Sequence, residues 1–287
     1  MANIPRYSIC ICTKNMGDSI EKCIESIMAQ IDETFEVIVI DDNSIDDTSA
    51  VLSKLKAKHS LLRYQSLEYD PMRKLGLTRN YSFQIAHGEW CLFHIDADDI
   101  IGDKIKDFTF AVEALAEGFQ QEKLYAGKQI HMARREFLLD RGPFRNIYRG
   151  EDRDLYERLV VDESWILINH ERFISRMERP ISKLRRKKLI DVTDQTVTDI
   201  RKSESFRRFL SDTWDARSRV GLKISGYKFL ISVYAIYMAK KLGDLPPTGI
   251  DLEDFVAYRQ AHSKSMSEWC EILNIDYPKR VDPKVFF

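Results

Sequence analysis

No two cysteines of this chain form a C-x-x-C pair, and the five present (Cys10, Cys12, Cys23, Cys91 and Cys270) are odd in number. That usage fits a reduced, cytosolic protein rather than a disulfide scaffold. Cys10 and Cys12 share one face of an expected strand, where small apolar residues are buried. No apolar stretch reaches the roughly 18–20 residues needed to cross a bilayer. The opening residues, M-A-N-I-P-R, run straight into a strand-like segment without the layout of a secretory signal. Neither sign of charge dominates: 44 Lys+Arg against 45 Asp+Glu leave a net charge of −1. That balance argues against bulk nucleic-acid binding. His59, His87, His131, His170 and His262 have no metal-ligand spacing, and no Ser-His-Asp or Cys-His pattern emerges. Internal repeats and low-complexity tracts are also missing.

What is there belongs to a soluble globular protein: 287 residues, 44% hydrophobic and 31% charged. The length suits one large domain or a catalytic domain with an appendage. The chain is organised around Trp90–Ile101, W-C-L-F-H-I-D-A-D-D-I-I. An apolar run after Gly88 reads as a buried strand, and it stops at Asp96, Asp98 and Asp99. Carboxylates crowded at a strand end repel one another unless a cation lies between them, and hard divalent ions favour oxygen ligands. A Mn²⁺ or Mg²⁺ site and a solvated acidic turn capping the next helix are both open on these acids alone. His94, on the same strand, reads as a core histidine, with support of a metal ligand as the other role.

Around this strand the pattern alternates. Tyr7–Cys12 is a short strand, followed by Thr13-Lys14-Asn15 and then Asp18-Ser19-Ile20-Glu21, which resembles a capping box. Ile20, Cys23, Ile24, Ile27, Met28 and Ile31 recur at helical spacing. Phe35–Ile40 is a second strand ending on Asp41 and Asp42. A helix through Val51, Leu52 and Leu55, a strand Leu61–Gln65 and a helix Leu77–Ala86 precede the acidic strand. This β-α-β-α-β-α-β order implies a doubly wound, mainly parallel α/β sheet, whose ligands bind at the carboxyl ends of the strands. Two strand ends carrying acids point to one crevice holding a nucleoside and a phosphate-bearing group. The first βα turn has neither G-x-G-x-x-G nor G-x-x-x-x-G-K-[ST], so dinucleotide and P-loop readings lose support.

The ordered set I-C-I-C-T-K-N (9–15), F-E-V-I-V-I-D-D-N-S-I-D-D-T (35–48), L-T-R-N-Y-S-F-Q-I-A-H-G-E-W (77–90) and H-I-D-A-D-D (94–99) resembles glycosyltransferase family 2. The resemblance covers roughly the first 170 residues and implies the GT-A fold, a Rossmann-like mixed sheet. It implies a nucleotide-sugar donor contacted by Thr13, Asn15, Asp41, Asp42, Arg79, Asp96 and Ala97, with UDP-sugars favoured. A carboxylate such as Asp42 accepts hydrogen bonds from ribose hydroxyls or a base N–H. Lys14 stands where relatives often carry a tyrosine that stacks on the base. Asp96 and Asp98 match the family's D-x-D motif, with Asp99 as helper, and imply Mn²⁺ or Mg²⁺ bridging the two phosphates. Arg79-Asn80 matches the R-N of the preceding helix, with Arg79 either on the diphosphate or bracing the acids. Glu151-Asp152 matches the E-D motif that opens a helix. It implies Asp152 as the base that deprotonates an acceptor hydroxyl, with Glu151 beside it and Arg145, Arg149 and Arg153 tuning it or touching phosphate.

The expected division is a nucleotide-sugar-binding catalytic domain over 1–175 and a mainly helical region over 176–287. In the latter, the basic run Ile181–Ile190 and the run Phe229–Ala239 between lysines suit a helix lying in a membrane interface; a helix buried against the core is the competing reading. Leu245-Pro246-Pro247-Thr248-Gly249 breaks the chain before two terminal helices, around 251–262 and 264–273. The expected partners are the donor and a glycan acceptor or lipid-linked acceptor, a lipid phosphate included. The expected location is the cytoplasm, peripherally on the cytoplasmic face of the membrane. Rival functions are a sugar-phosphate nucleotidyltransferase and a non-catalytic, membrane-attached binding module. The first would want a Gly-rich basic loop after strand one, which Thr13–Gly17 is not.

Overall fold

The computed structural model describes residues 4–141, 143–147, 149–178, 191–198, 200–201 and 222–286. Among the described residues, ten strands are interspersed with helices. The main sheet contains β1 (Tyr7–Thr13), β2 (Phe35–Asp41), β3 (Leu62–Ser66), β4 (Trp90–Asp96), β6 (Leu124–Ala126), β7 (His131–Arg134), β8 (Trp165–Ile168) and β10 (Ser263–Lys264). Its order is β10-β8-β6-β7-β4-β1-β2-β3. Strands β5 (Asp99–Ile101) and β9 (Ile174–Arg176) form a separate antiparallel ribbon. β1 pairs in parallel with β2 and β4, while β7 runs antiparallel to both β4 and β6. The result is the mixed, mostly parallel α/β sheet that the alternation implied.

Strands β1 and β2 read as near-continuous apolar runs because helices cover both of their faces. Beneath one face lie α1 (Gly17–Met28), α2 (Thr48–Lys58) and α4 (Ile105–Gly118); against the other lie α3 (Leu75–Ile85), α5 (Arg135–Asp140) and α6 (Glu151–Val160). Ile20, Cys23, Ile24 and Ile27 form the fully buried stripe of α1, as their helical spacing required. The capping box expected at Asp18–Glu21 is not what starts this helix. It begins at Gly17, and the neighbouring loop holds its first turn: Met16 N donates to Thr48 Oγ1 at 2.9 Å and Gly17 N to Asp46 Oδ2 at 3.2 Å. A complete capping box forms instead at Ser265 and Glu268, opening the helix Met266–Leu273. Cys12 is only partly buried, whereas Cys10 is buried; all five cysteines are free.

The C-terminal residues return to the main sheet. Ser263 and Lys264 pair with β8, and Met266, Trp269, Val281, Val285 and Phe286 join the core under α4. The helix Leu222–Leu242 is 21 residues long, yet among the described residues no helix is long and apolar enough to cross a membrane. Ala235 and Ala239 are buried against Val197, while Leu230, Val233, Tyr234 and Tyr237 are exposed at helical spacing. The basic run 181–190 lies outside the described residues.

Candidate active site

Register brings the acidic strand ends together. Thr13 at the end of β1 pairs with Asp41 on β2, and Cys12 with Asp96 on β4. With neighbouring strands about 4.8 Å apart, the two acid turns flank β1 at the carboxyl edge of the sheet. A bulge prepares the second turn: Ile9 pairs with Leu92 but Ile11 with Ile95, so β4 carries one extra residue. His94 takes it up at φ +69°, a conformation rare for a side chain with a Cβ. Leu92 and Ile95, three apart, therefore share the α1/α4 core while Phe93 faces the α3/α6 core. The bulge resets the alternation one residue before Asp96.

At the first turn, Asp41 is buried and points inward. It accepts from Ser44 N and Oγ and, at 3.2 Å, from Ser66 Oγ, so it shapes the loop rather than facing a nucleoside. Asn15, at φ +55°, likewise spends its side-chain oxygen on Ile45 N at 2.9 Å. Asp42 faces outward between two cations, Lys14 at 3.2 Å and Arg73 at 2.6 Å. Thr13 Oγ1 is buried with no hydrogen-bond partner among the described residues.

At the second turn, the three acids meet a cation that the sequence reading missed. Arg176 Nη2 donates to Asp96 Oδ2 at 2.6 Å, its Nε donates to Asp99 Oδ1 at 3.0 Å, and Nε lies 3.8 Å from Asp98 Oδ1. Asp99 and Asp98 are almost completely buried, whereas the Asp96 side chain is 41% exposed. Asp99 also accepts from Asp96 N at 2.8 Å, so it braces the turn from behind. Burial pushes the Asp99 carboxyl above its ordinary value, against the pull of Arg176. Ala97 is buried in the core and offers the crevice only its backbone. Among the described residues no three His, Cys, Asp or Glu side chains are grouped as metal ligands. The donor chemistry nevertheless fits a hard divalent ion, because all-oxygen carboxylates here converge on one positive group.

The third part comes from α3 and α6. Arg79 is buried on α3, donates from Nε to Glu151 Oε1 at 3.2 Å and stacks its guanidinium 5.6 Å from the Phe144 ring centre. Burial opposes its charge, but Glu151 first, then Cys12, Asp96 and Asp152, hold its pKa above the usual arginine value. Asn80 pins the same loop, donating to Phe144 O at 2.8 Å and accepting from Phe144 N at 2.9 Å. Gly150, at φ +77°, turns the chain into α6, whose first turn carries Glu151, Asp152 and Asp154 against the helix dipole. Burial raises the Glu151 carboxyl to about 7, while Asp152 is half-exposed. The arginines expected to tune Asp152 go elsewhere: Arg145 pairs with Asp154, Arg149 with Asp191 and Arg153 with Glu157. Each has a carboxylate of its own within 4 Å, Arg153 at the i,i+4 spacing of α6.

His94 ties the parts together. Its ring stacks on His131 at 4.4 Å, and burial together with Arg79 lowers its pKa while Asp152 and Asp96 oppose that. Arg79 and His94 thus both feel the charges of Asp96 and Asp152.

Comparisons with known proteins agree with this layout. Residues 8–120 match the family model described as Glycosyl transferase family 2. A GalNAc(5)-diNAcBac-PP-undecaprenol beta-1,3-glucosyltransferase of Campylobacter jejuni is 23% identical over 197 residues, spanning 57% of this chain and 62% of its own. The chain therefore covers less than two thirds of that relative. Staphylococcus aureus TarS 1-349 in complex with UDP superposes with a TM-score of 0.52 at 19% identity, over 66% of each chain. A mannosyltransferase from Pyrobaculum calidifontis in complex with GDP-Man and Mn²⁺ gives 0.52 at 17% identity, over 95% of this chain and 85% of its own. With the strand-end acids and the R-N helix inside the matched segment, residues 8–120 form a glycosyltransferase family 2 domain, and the chain has the GT-A fold.

Proposed function

We propose that this protein moves a sugar from a nucleotide sugar to an acceptor hydroxyl with inversion at the anomeric carbon. The observation that carries the reading is that Asp41 and Asp96 flank the end of β1 while the buried Arg79–Glu151 pair, at 3.2 Å, holds the Glu151-Asp152 helix start against α3. Asp152 is the base: half-exposed at the start of α6, it can reach an acceptor from solvent, whereas Glu151 is closed off against Arg79. As it takes the acceptor proton, the oxygen bonds to the anomeric carbon while the bond to the diphosphate breaks on the opposite face. Glu151 and Arg79 keep α6 and α3 in fixed relation, and Asp42 receives the nucleoside between Lys14 and Arg73. Asp96 and Asp98 are the residues that would hold Mn²⁺ or Mg²⁺, whose charge, when bound, offsets that of the departing diphosphate.

UDP-sugars are the favoured donors, supported by the UDP complex of TarS, although the mannosyltransferase of similar fold binds GDP-Man. A lipid-linked acceptor is supported by the undecaprenol-linked name of the Campylobacter relative. The exposed stripe Leu230, Val233, Tyr234 and Tyr237, followed by Lys240 and Lys241, suits contact with an anionic membrane surface.

The test is calorimetric titration of UDP, GDP and their sugar conjugates with Mn²⁺ and then with chelator. Selective, metal-dependent binding of one nucleotide is the expected result. Binding of none would sink the reading and favour a non-catalytic module.

A further inference from the structure

Arg176 is not an arginine that happens to lie near acids. Its backbone is fixed opposite Asp99 by the β5–β9 ribbon, and Met177 N donates to Asp98 O at 2.9 Å. Its side chain then spans a buried acid and an exposed one. Nε is anchored on the fully buried Asp99 at 3.0 Å, while Nη2 reaches Asp96, whose side chain is 41% exposed. Arg176 also lines an open cavity of about 500 Å³ that runs along Arg172–Arg176. The carboxylate that a divalent ion would meet first is therefore the exposed one, Asp96, on which Arg176 makes its shortest contact.

We propose that Arg176 is a resident counter-cation of the acid turn and that a divalent ion binds Asp96 only by displacing the guanidinium from it. This rests on the transferase reading above, because it assumes that Asp96 and Asp98 are the metal's residues. Two positive groups cannot share the same carboxylate oxygen without repulsion, so the ion and Arg176 compete. The anchor on Asp99 keeps the displaced guanidinium at the site with its N–H edge turned to the cavity. That edge is shaped to take paired oxygens of an anion such as a diphosphate. Metal and diphosphate then favour each other's binding through Arg176, in addition to any direct contact between them.

The experiment is titration of Mn²⁺ alone, read as the electron paramagnetic resonance signal of free Mn²⁺, on the wild-type chain, Arg176→Gln and Arg176→Lys, repeated with UDP present. For a half-exposed charge pair the expected gain is about tenfold tighter Mn²⁺ binding by Arg176→Gln without nucleotide. Arg176→Lys should fall between, since an ammonium cannot span two carboxylates. With UDP the gap between the variants should shrink. Equal or weaker Mn²⁺ binding by a folded Arg176→Gln overturns the proposal and leaves the transferase reading standing. Mn²⁺ binding by none of the three, with or without UDP, overturns both. Should Arg176→Gln not fold, the wild type still decides. The Arg176 Nε–Hε resonance, assigned by its loss in Arg176→Lys, must shift on Mg²⁺ addition, and an unmoved resonance while Mg²⁺ binds refutes displacement.

Discussion

Replacing Glu151 by Gln should stabilise this protein above neutral pH. The buried carboxyl titrates near 7 in the fold against an ordinary value of 4.5. Between those values the folded chain keeps a proton that the unfolded chain has released, so stability falls as pH rises. The contribution is complete below 4.5 and is lost as pH climbs through 7. Each tenfold difference in proton affinity between the two states is worth about 1.36 kcal/mol, so the wild type should lose about 2.5 kcal/mol from this group between pH 5 and pH 8. Glutamine copies the protonated acid in shape and neutrality, and its oxygen can still accept from Arg79 Nε, which sits 3.2 Å from the carboxylate. Urea unfolding of wild type and Glu151→Gln at several pH values measures the difference directly. The two should be closest at pH 5, with the variant gaining about 2.5 kcal/mol on the wild type by pH 8. A gap that stays constant, or a variant that falls behind at high pH, would refute the reasoning. Arg79 would then outweigh burial, and Glu151 would be ionised throughout. The result also bears on function, because an acid that weakens the fold at working pH is retained only where its chemistry or positioning is needed.

Asp152→Asn should lower transfer by about 100-fold or more, the usual contribution of a general base, with donor affinity unchanged within about twofold in calorimetry; near-full transfer would remove Asp152 from the role of base. His170 offers a second pH test: Nδ1 donates to Glu171 O at 2.6 Å, Nε2 accepts from Lys128 N at 2.7 Å, and burial lowers its pKa to about 4. A depressed histidine gives stability at neutral pH that is lost as pH falls from its ordinary value of 6.5 toward 4. The loss is about 2 kcal/mol between pH 7 and 5, and His170→Gln should flatten that slope in unfolding experiments. A Cβ on Gly76 would come within 1.9 Å of the Arg145 carbonyl oxygen. Gly76→Ala should therefore destabilise by about 1–3 kcal/mol in urea unfolding and lower turnover by shifting the 144–147 loop. Finally, Leu230→Ser with Tyr237→Ser should abolish flotation with anionic vesicles while leaving the melting temperature within a few degrees; unchanged flotation would exclude that face.

How much of this was legible depended on how local the signal was. The strands Tyr7–Thr13, Phe35–Asp41 and Trp90–Asp96 could be read from apolar runs that stop at polar residues, because a strand buried on both faces writes its whole length as hydrophobicity. The reversed strand His131–Arg134 and the ribbon strands of three residues could not, since so short a segment carries no period of its own. The acids of the site were legible as types and positions, but their division of labour was not. Asp41 and Asp42 are adjacent, yet one bonds Ser44 and Ser66 inside the loop while the other faces Lys14 and Arg73. Only the backbone of the turn separates those roles. Arg176 stands furthest from what spacing can show, 77 residues from its partner Asp99 and joined to it by a three-residue ladder. The acids at a strand end demanded a cation, and the sequence pointed to a metal because hard divalent ions favour oxygen ligands. The chain supplies an arginine from a distant strand, so the demand for positive charge was physical and correctly read. Which cation meets it, and in what order, is a property of the tertiary fold.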